Sequence, residues 1–148
     1  MMNKKPIKIK HLWEYDVKLL MALGEAIDGN KKIFAWLLNN GYPELAAFAA
    51  AVCADAEALK WLLKNGYPHL AVLSDAIDDE DAAIAWLKKH KMKFYLIFAD
   101  ACSVKGEAAM KWLEENNYKV FIILAMKIQE VLRMQAFNHY DYHKMKFK

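Results

Sequence analysis

Three residues near the C-terminus, His139, Asp141 and His143, have side chains that bind metals, and the two histidines are spaced to share one helix face. A zinc site needs a full ligand set and a closed geometry, and nothing else in the sequence supplies them. The sequence therefore predicts no metal and no cofactor, with residues 137–148 forming a basic, frayed tail. No nucleophile–base pair, glycine-rich phosphate loop or paired-carboxylate motif occurs. The expectation is a protein with no catalytic residues, not an enzyme. The other residue type whose placement invites chemistry is tryptophan. Trp36, Trp61, Trp86 and Trp112 could in principle stack bases or sugars, so their spacing decides what they are for.

That spacing is regular, at 25, 25 and 26 residues, and the neighbours repeat with it. Leu37, Leu62, Leu87 and Leu113 follow directly. Four residues after each tryptophan come Asn40, Asn65, His90 and Asn116, then Gly41, Gly66, Lys91 and Asn117. A fixed period in this range signals stacked structural repeats. At such a position large aromatics are packing residues, so the four tryptophans are expected to form the structural repeat core, with Trp61 and Trp86 mostly buried.

The punctuation divides each repeat into two short helices. Gly41 and Gly66 suit a left-handed helix end, and Pro43 and Pro68 suit the first turn of the next helix. Asp55, Asp78 or Asp79, and Ser103 are expected to cap the tryptophan helices. The mostly apolar inner type spans roughly 16–28, 43–54, 68–78, 93–103 and 118–136. The outer, tryptophan-bearing type spans roughly 30–40, 55–65, 80–90 and 106–116. Ala26, Ala51, Ala76 and Ala101 let inner helices approach closely. The fold class is all-α: an α-solenoid of about four to five antiparallel helix pairs in one domain, 1–148. Residues 1–15, with Leu12, Trp13 and Tyr15, are expected to cap one end, 16–117 to form the repeats, and 118–136 to cap the other end. On this plan Cys53 and Cys102 lie two repeats apart, about 20 Å at usual helix spacings. That is too far for a disulfide, and both should be free, buried thiols.

The stretch from Pro43 to Leu70 resembles the helix pair of the ankyrin repeat. Pro43 and Leu45 stand near its start, Ala46 and Ala47 in its first helix, and Leu59, Lys60, Leu62, Leu63 and Gly66 in its second. Ankyrin repeats run to about 33 residues and spend the excess on a projecting β-turn, for which this chain has no room. The resemblance implies a stacked helical array whose usual work is to bind another protein, without binding through finger tips.

Composition narrows the function further. Of 148 residues, 57% are apolar and 26% charged, enough to bury a core. No apolar run approaches the ~20 residues of a membrane span, and no signal peptide or C-x-x-C pair is evident, which suits a cytoplasmic protein without membrane partners. The net charge of +3 is uneven: residues 1–10 carry +4, residues 133–148 carry +3, and the middle carries −4. Arg133 is the only arginine, which argues against sequence-specific reading of DNA bases. The lysine-rich ends leave a nucleic-acid-associated solenoid as the alternative function, nucleic acid being an unlikely partner. The leading expectation is a protein–protein interaction module, an adaptor, inhibitor or immunity-type partner, monomeric or weakly homo-oligomeric. Its partner-binding surface is expected on the inner helices, where Glu25, Asp75 and Asp100 recur at one repeat position beside Val72 and Ile97.

Overall fold

The computed structural model describes the backbone from Lys10 to Lys146 and the side chains as far as Asn138. The lysine-rich arm at 1–9 and the side chains of His139, Asp141 and His143 lie outside the described residues. Within them are nine α-helices and no strand. The inner helices are α1 (Val17–Ile27), α3 (Pro43–Val52), α5 (Pro68–Ile77), α7 (Lys93–Ala101) and α9 (Lys119–Lys146). The outer helices are α2 (Lys31–Asn39), α4 (Ala56–Lys64), α6 (Asp81–Lys89) and α8 (Glu107–Glu115). These are the helix-pair repeats that the spacing predicts.

Local chemistry explains the boundaries. Asp16, Asn30 and Asp55 accept backbone N–H bonds at the starts of α1, α2 and α4. The expected caps of the later outer helices are corrected: Glu80 and Gly106 hold those positions without a side-chain bond. Asp79 instead has φ +63°, and the Ser103 hydroxyl donates to the Asp100 carbonyl. At the far end of each outer helix one device recurs. The Asn40, Asn65 and Asn116 amides donate to the carbonyls of Trp36, Trp61 and Trp112, and the His90 ring N–H does so to Trp86. The following residue is left-handed in every copy: Gly41, Gly66, Lys91 and Asn117. A second left-handed set, Gly29, Ala54 and Asp79, ends the inner helices.

The tryptophans are not the core of the repeat. Trp36 is 46% exposed, and Trp61, Trp86 and Trp112 are only half-buried. The leucine after each of them is at 0%. The reason is helical geometry: one residue turns the side chain by about 100°, so leucine enters the groove while tryptophan lies along its rim. There the indole packs nearly parallel to the tyrosine that opens the next inner helix, at 6.2 Å for Trp36 and Tyr42, 6.1 Å for Trp61 and Tyr67, and 5.8 Å for Trp112 and Tyr118. Where methionine replaces that tyrosine, Trp86 stacks on His90 at 4.0 Å. The ladder is a set of staples across the outer-to-inner turns.

The inner helices are consecutive neighbours, and α9 also packs along α1, so the five close into a ring. Each helix points three side chains inward. Leu20, Leu45, Leu70, Tyr95 and Phe121 form the first layer; Leu23, Phe48, Leu73, Phe98 and Leu124 the second; Ile27, Val52, Ile77, Cys102 and Ile128 the third. All fifteen are at most 6% exposed. Cys102 is thus a core residue, and burial pushes its thiol pKa up. Cys53 corrects the expectation of two buried thiols: it sits one residue later in the repeat, at the end of α3, and is exposed.

The closing seam departs from the repeat in two compensating ways. Where the other inner helices carry alanine, α9 carries Lys127; where they carry alanine or serine, α1 carries Gly24. A Cβ on Gly24 would lie 3.1 Å from the Lys127 side chain, so glycine makes room for the lysine stem, whose ammonium pairs with Asp28.

The described part of the N-terminal segment, residues 10–15, also lies elsewhere than expected. It does not cap one end of a stack. It crosses the mouth of the ring formed by the N-termini of the inner helices, where Leu12 is at 0% and Tyr15 at 5% exposure. The last helix is longer than expected, and the tail from 137 to 146 is helical rather than frayed. No glycine or proline follows Tyr118 to stop it.

Candidate binding surface

Glu25, Asp75 and Asp100 stand on the outward sides of α1, α5 and α7, with Ala50 of α3 interrupting the row. Glu25 and Asp100 are exposed, and Asp75 is partly covered. Burial, and secondarily the Glu80 charge, raises the Asp75 pKa. Val72 and Ile97 are half-buried and packed against the core, so they do not form an open apolar border. The carbonyls of Glu25, Ala50 and Asp75 accept from the N–H groups of Asn30, Asp55 and Glu80, the residues that open α2, α4 and α6. Those bonds belong to the repeat backbone and are made by alanine as well as by the acidic residues. Asp100 lines a cleft of about 620 Å³ shared with Ile84 and Lys88 of α6 and Lys105.

The densest group of buried polar side chains is at the ring mouth under residues 10–15, which no spacing in the sequence announced. Tyr95 is wholly buried. Its hydroxyl accepts from the Leu12 N–H at 3.2 Å and lies 3.0 Å from His11 Nδ1, to which it can donate. His69, also at 0% exposure, donates from Nε2 to the Lys10 carbonyl at 3.0 Å. Its Nδ1 has no partner among the described residues. Burial lowers the His69 pKa and favours the neutral ring. Glu44, at 5% exposure, faces the hydroxyls of Tyr67 and Tyr15; burial nonetheless raises its pKa. Lys10 places its ammonium 4.4 Å from the centre of the Tyr15 ring. These groups tie the crossing segment to α3, α5 and α7. Because that segment covers them, the arrangement reads as a fastening.

At the opposite mouth α9 runs on past the ring. The Gln129 amide donates to the Ala101 carbonyl at 2.7 Å, and that of Gln135 to the Val52 carbonyl at 3.4 Å. Beneath lies a largely apolar cavity of about 580 Å³, lined by Ile77, Cys102, Leu132 and Ala136 with Asp78 and Arg133 at its edge.

A fourth feature lies outside the ring. Each groove between successive inner helices holds an outer helix: α2 between α1 and α3, α4 between α3 and α5, α6 between α5 and α7, α8 between α7 and α9. Among the described residues nothing occupies the fifth groove, between α9 and α1. Met21 shows what this costs. At its repeat position Ala46 and Ala71 are at most 1% exposed, whereas Met21 is 43% exposed. Val17 on the same side of α1, and Ile123 and Met126 on α9, are exposed as well.

Among the described residues no helix is long and apolar enough to cross a membrane, and no cluster of three metal-ligating side chains occurs. No protein-family model, curated protein or solved structure matches the chain.

Proposed function

We propose that the protein is a cytoplasmic, non-catalytic interaction module, an adaptor, inhibitor or immunity-type partner, that receives a segment of another protein in the open groove between α1 and α9. The observation that carries this reading is the arithmetic of the ring: five inner grooves and, among the described residues, four outer helices. Exposed apolar side chains that line up along one groove mark an interaction surface better than singly scattered ones do. The resemblance of the repeats to ankyrin helix pairs, which serve binding, points the same way.

A photo-crosslinking amino acid placed at Met126 tests it in an extract of the native host. The expected result is one discrete adduct, absent when the crosslinker stands at Leu63 on the outer face of α4 and lost when Met21→Glu is added. Equal labelling from both positions would overturn the groove as the binding surface. The Asp100 cleft would then be the next surface to test, through Asp75→Lys with Asp100→Lys.

A further inference from the structure

We infer that the occupant of the open groove is a short amphipathic helix with the apolar stripe of this protein's own outer helices and a basic first turn, lying antiparallel to α1 and α9. This rests on the interaction reading above and specifies its partner. The four filled grooves show what such a socket accepts. Each is bounded by the same pair of inner-helix faces and filled by one nine-residue helix. In each, the leucine of the Trp-Leu pair is at 0% exposure, and two apolar residues three and four positions before it, such as Ala58 and Leu59, are partly or fully covered. The fifth groove repeats those faces: Ile123 stands where Val72 and Ile97 stand, and Met21 where Ala46 and Ala71 stand. It is an existing socket of the molecule that no other described residue fills.

Charge sets the direction and the ends. An outer helix runs antiparallel to its inner neighbours, so its N-terminus lies beside their C-terminal ends. At the open groove those ends carry Glu25, exposed, and Asp28, whose side chain is 42% exposed beside Lys127. The opposite ends carry Lys18 and Lys119, both exposed. A helix N-terminus is partly positive and its C-terminus partly negative. The rim therefore favours the antiparallel direction, and a lysine-bearing first turn adds to it. Among the chain's own outer helices only α2 has that first turn, in Lys31 and Lys32.

The α2 sequence is accordingly the probe. An N-acetylated, C-amidated, dye-labelled peptide of residues 30–42 is titrated into the whole protein and followed by fluorescence polarisation. Saturable binding is expected, weak because so short a helix must be ordered on binding. Met21→Glu with Met126→Glu should weaken it at least about tenfold, since buried apolar contacts carry most of such an interface. The melting curve should stay unchanged, because both side chains are exposed. Leu37→Ala in the peptide should weaken binding comparably. Lys31→Glu with Lys32→Glu should weaken it less, by an amount that added salt removes. Absence of saturable binding, or binding indifferent to the Met21 and Met126 substitutions, would overturn the helix assignment. So would a concentration-dependent dimer that the double substitution abolishes and the peptide cannot displace, since a second copy would then fill the groove. If the peptide fails while the crosslinker at Met126 still captures its adduct, the helix assignment falls and the interaction reading stands. If the peptide binds but no adduct is captured, the groove accepts such a helix and the interaction reading falls.

Discussion

The two mouths of the ring have opposite needs and meet them with opposite chemistry. At one mouth the inner helices present their N-termini, with positive partial charge; at the other, their C-terminal carbonyls. The first is sealed by a crossing segment: Leu12 fills the opening, Glu44 sets a buried carboxyl in the first turn of α3, and Tyr95 and His69 fasten the backbone above them. The second is bridged by a helix whose Gln129 and Gln135 donate to the part-buried carbonyls of Ala101 and Val52 and leave a cavity beneath. A ring of parallel helices cannot close both ends with the same device. The sealed end is built for stability, and the bridged end keeps room.

Substitutions should sharpen that contrast. The largest effect is expected from Leu12→Ala, which removes a fully buried side chain from the seal and should cost about 2–5 kcal/mol in urea unfolding. Were the loss under about 1 kcal/mol, well below that range, the crossing segment would be an ornament and the ring closed without it. Tyr95→Phe keeps the ring and deletes the hydroxyl that serves Leu12 and His11; a loss of about 1–3 kcal/mol is expected, from the orphaned backbone N–H. At the other mouth Gln129→Ala should cost only about 0.5–1.5 kcal/mol, the net worth of one amide-to-carbonyl hydrogen bond at a part-buried site.

The smallest effect is one of slope against pH. His69 has a lowered pKa when folded, so below about 6.5, its ordinary value, the unfolded chain takes up a proton that the folded one refuses. Its contribution to stability is therefore lost as pH falls. Glu44 has a raised pKa, so it acts in the opposite direction and gains stability as pH falls toward 4.5. Urea midpoints at pH 7.5 and 5.0 should differ less in His69→Gln than in the parent and more in Glu44→Gln.

Much of the architecture was legible because it is written in local, repeated chemistry. Gly41 with Pro43 and Gly66 with Pro68 fix helix ends through backbone geometry alone, and each inner and outer helix lies within a few residues of its predicted place, α9 excepted. The tryptophan expectation failed because periodicity gives the register of a repeat but not which of two adjacent large residues turns inward. Ring closure left only faint marks, a lysine among alanines at 127 and a glycine at 24, which gain meaning once the two residues meet. The polar fastening was hidden for a related reason. His11, Glu44, His69 and Tyr95 are distant in sequence and share no motif, so only the tertiary structure assembles them. The acidic row is a pattern of the sequence, and in the fold its three members end on the outward sides of α1, α5 and α7, with Asp75 partly covered.

Closure also bears on how such a protein can change in size. An open array has terminal repeats, lengthens by duplication, and frays from its ends. A hoop has no terminal repeat: α1 and α9 each have two inner neighbours, as α3, α5 and α7 do. Its circumference is set by the fifteen side chains that fill it. A sixth helix would open a void that those side chains could not span, and a ring of four would leave no space for Phe48, Phe98 and Phe121 together. Gaining or losing one repeat would thus demand a new core throughout, which makes copy number in this architecture a fixed quantity.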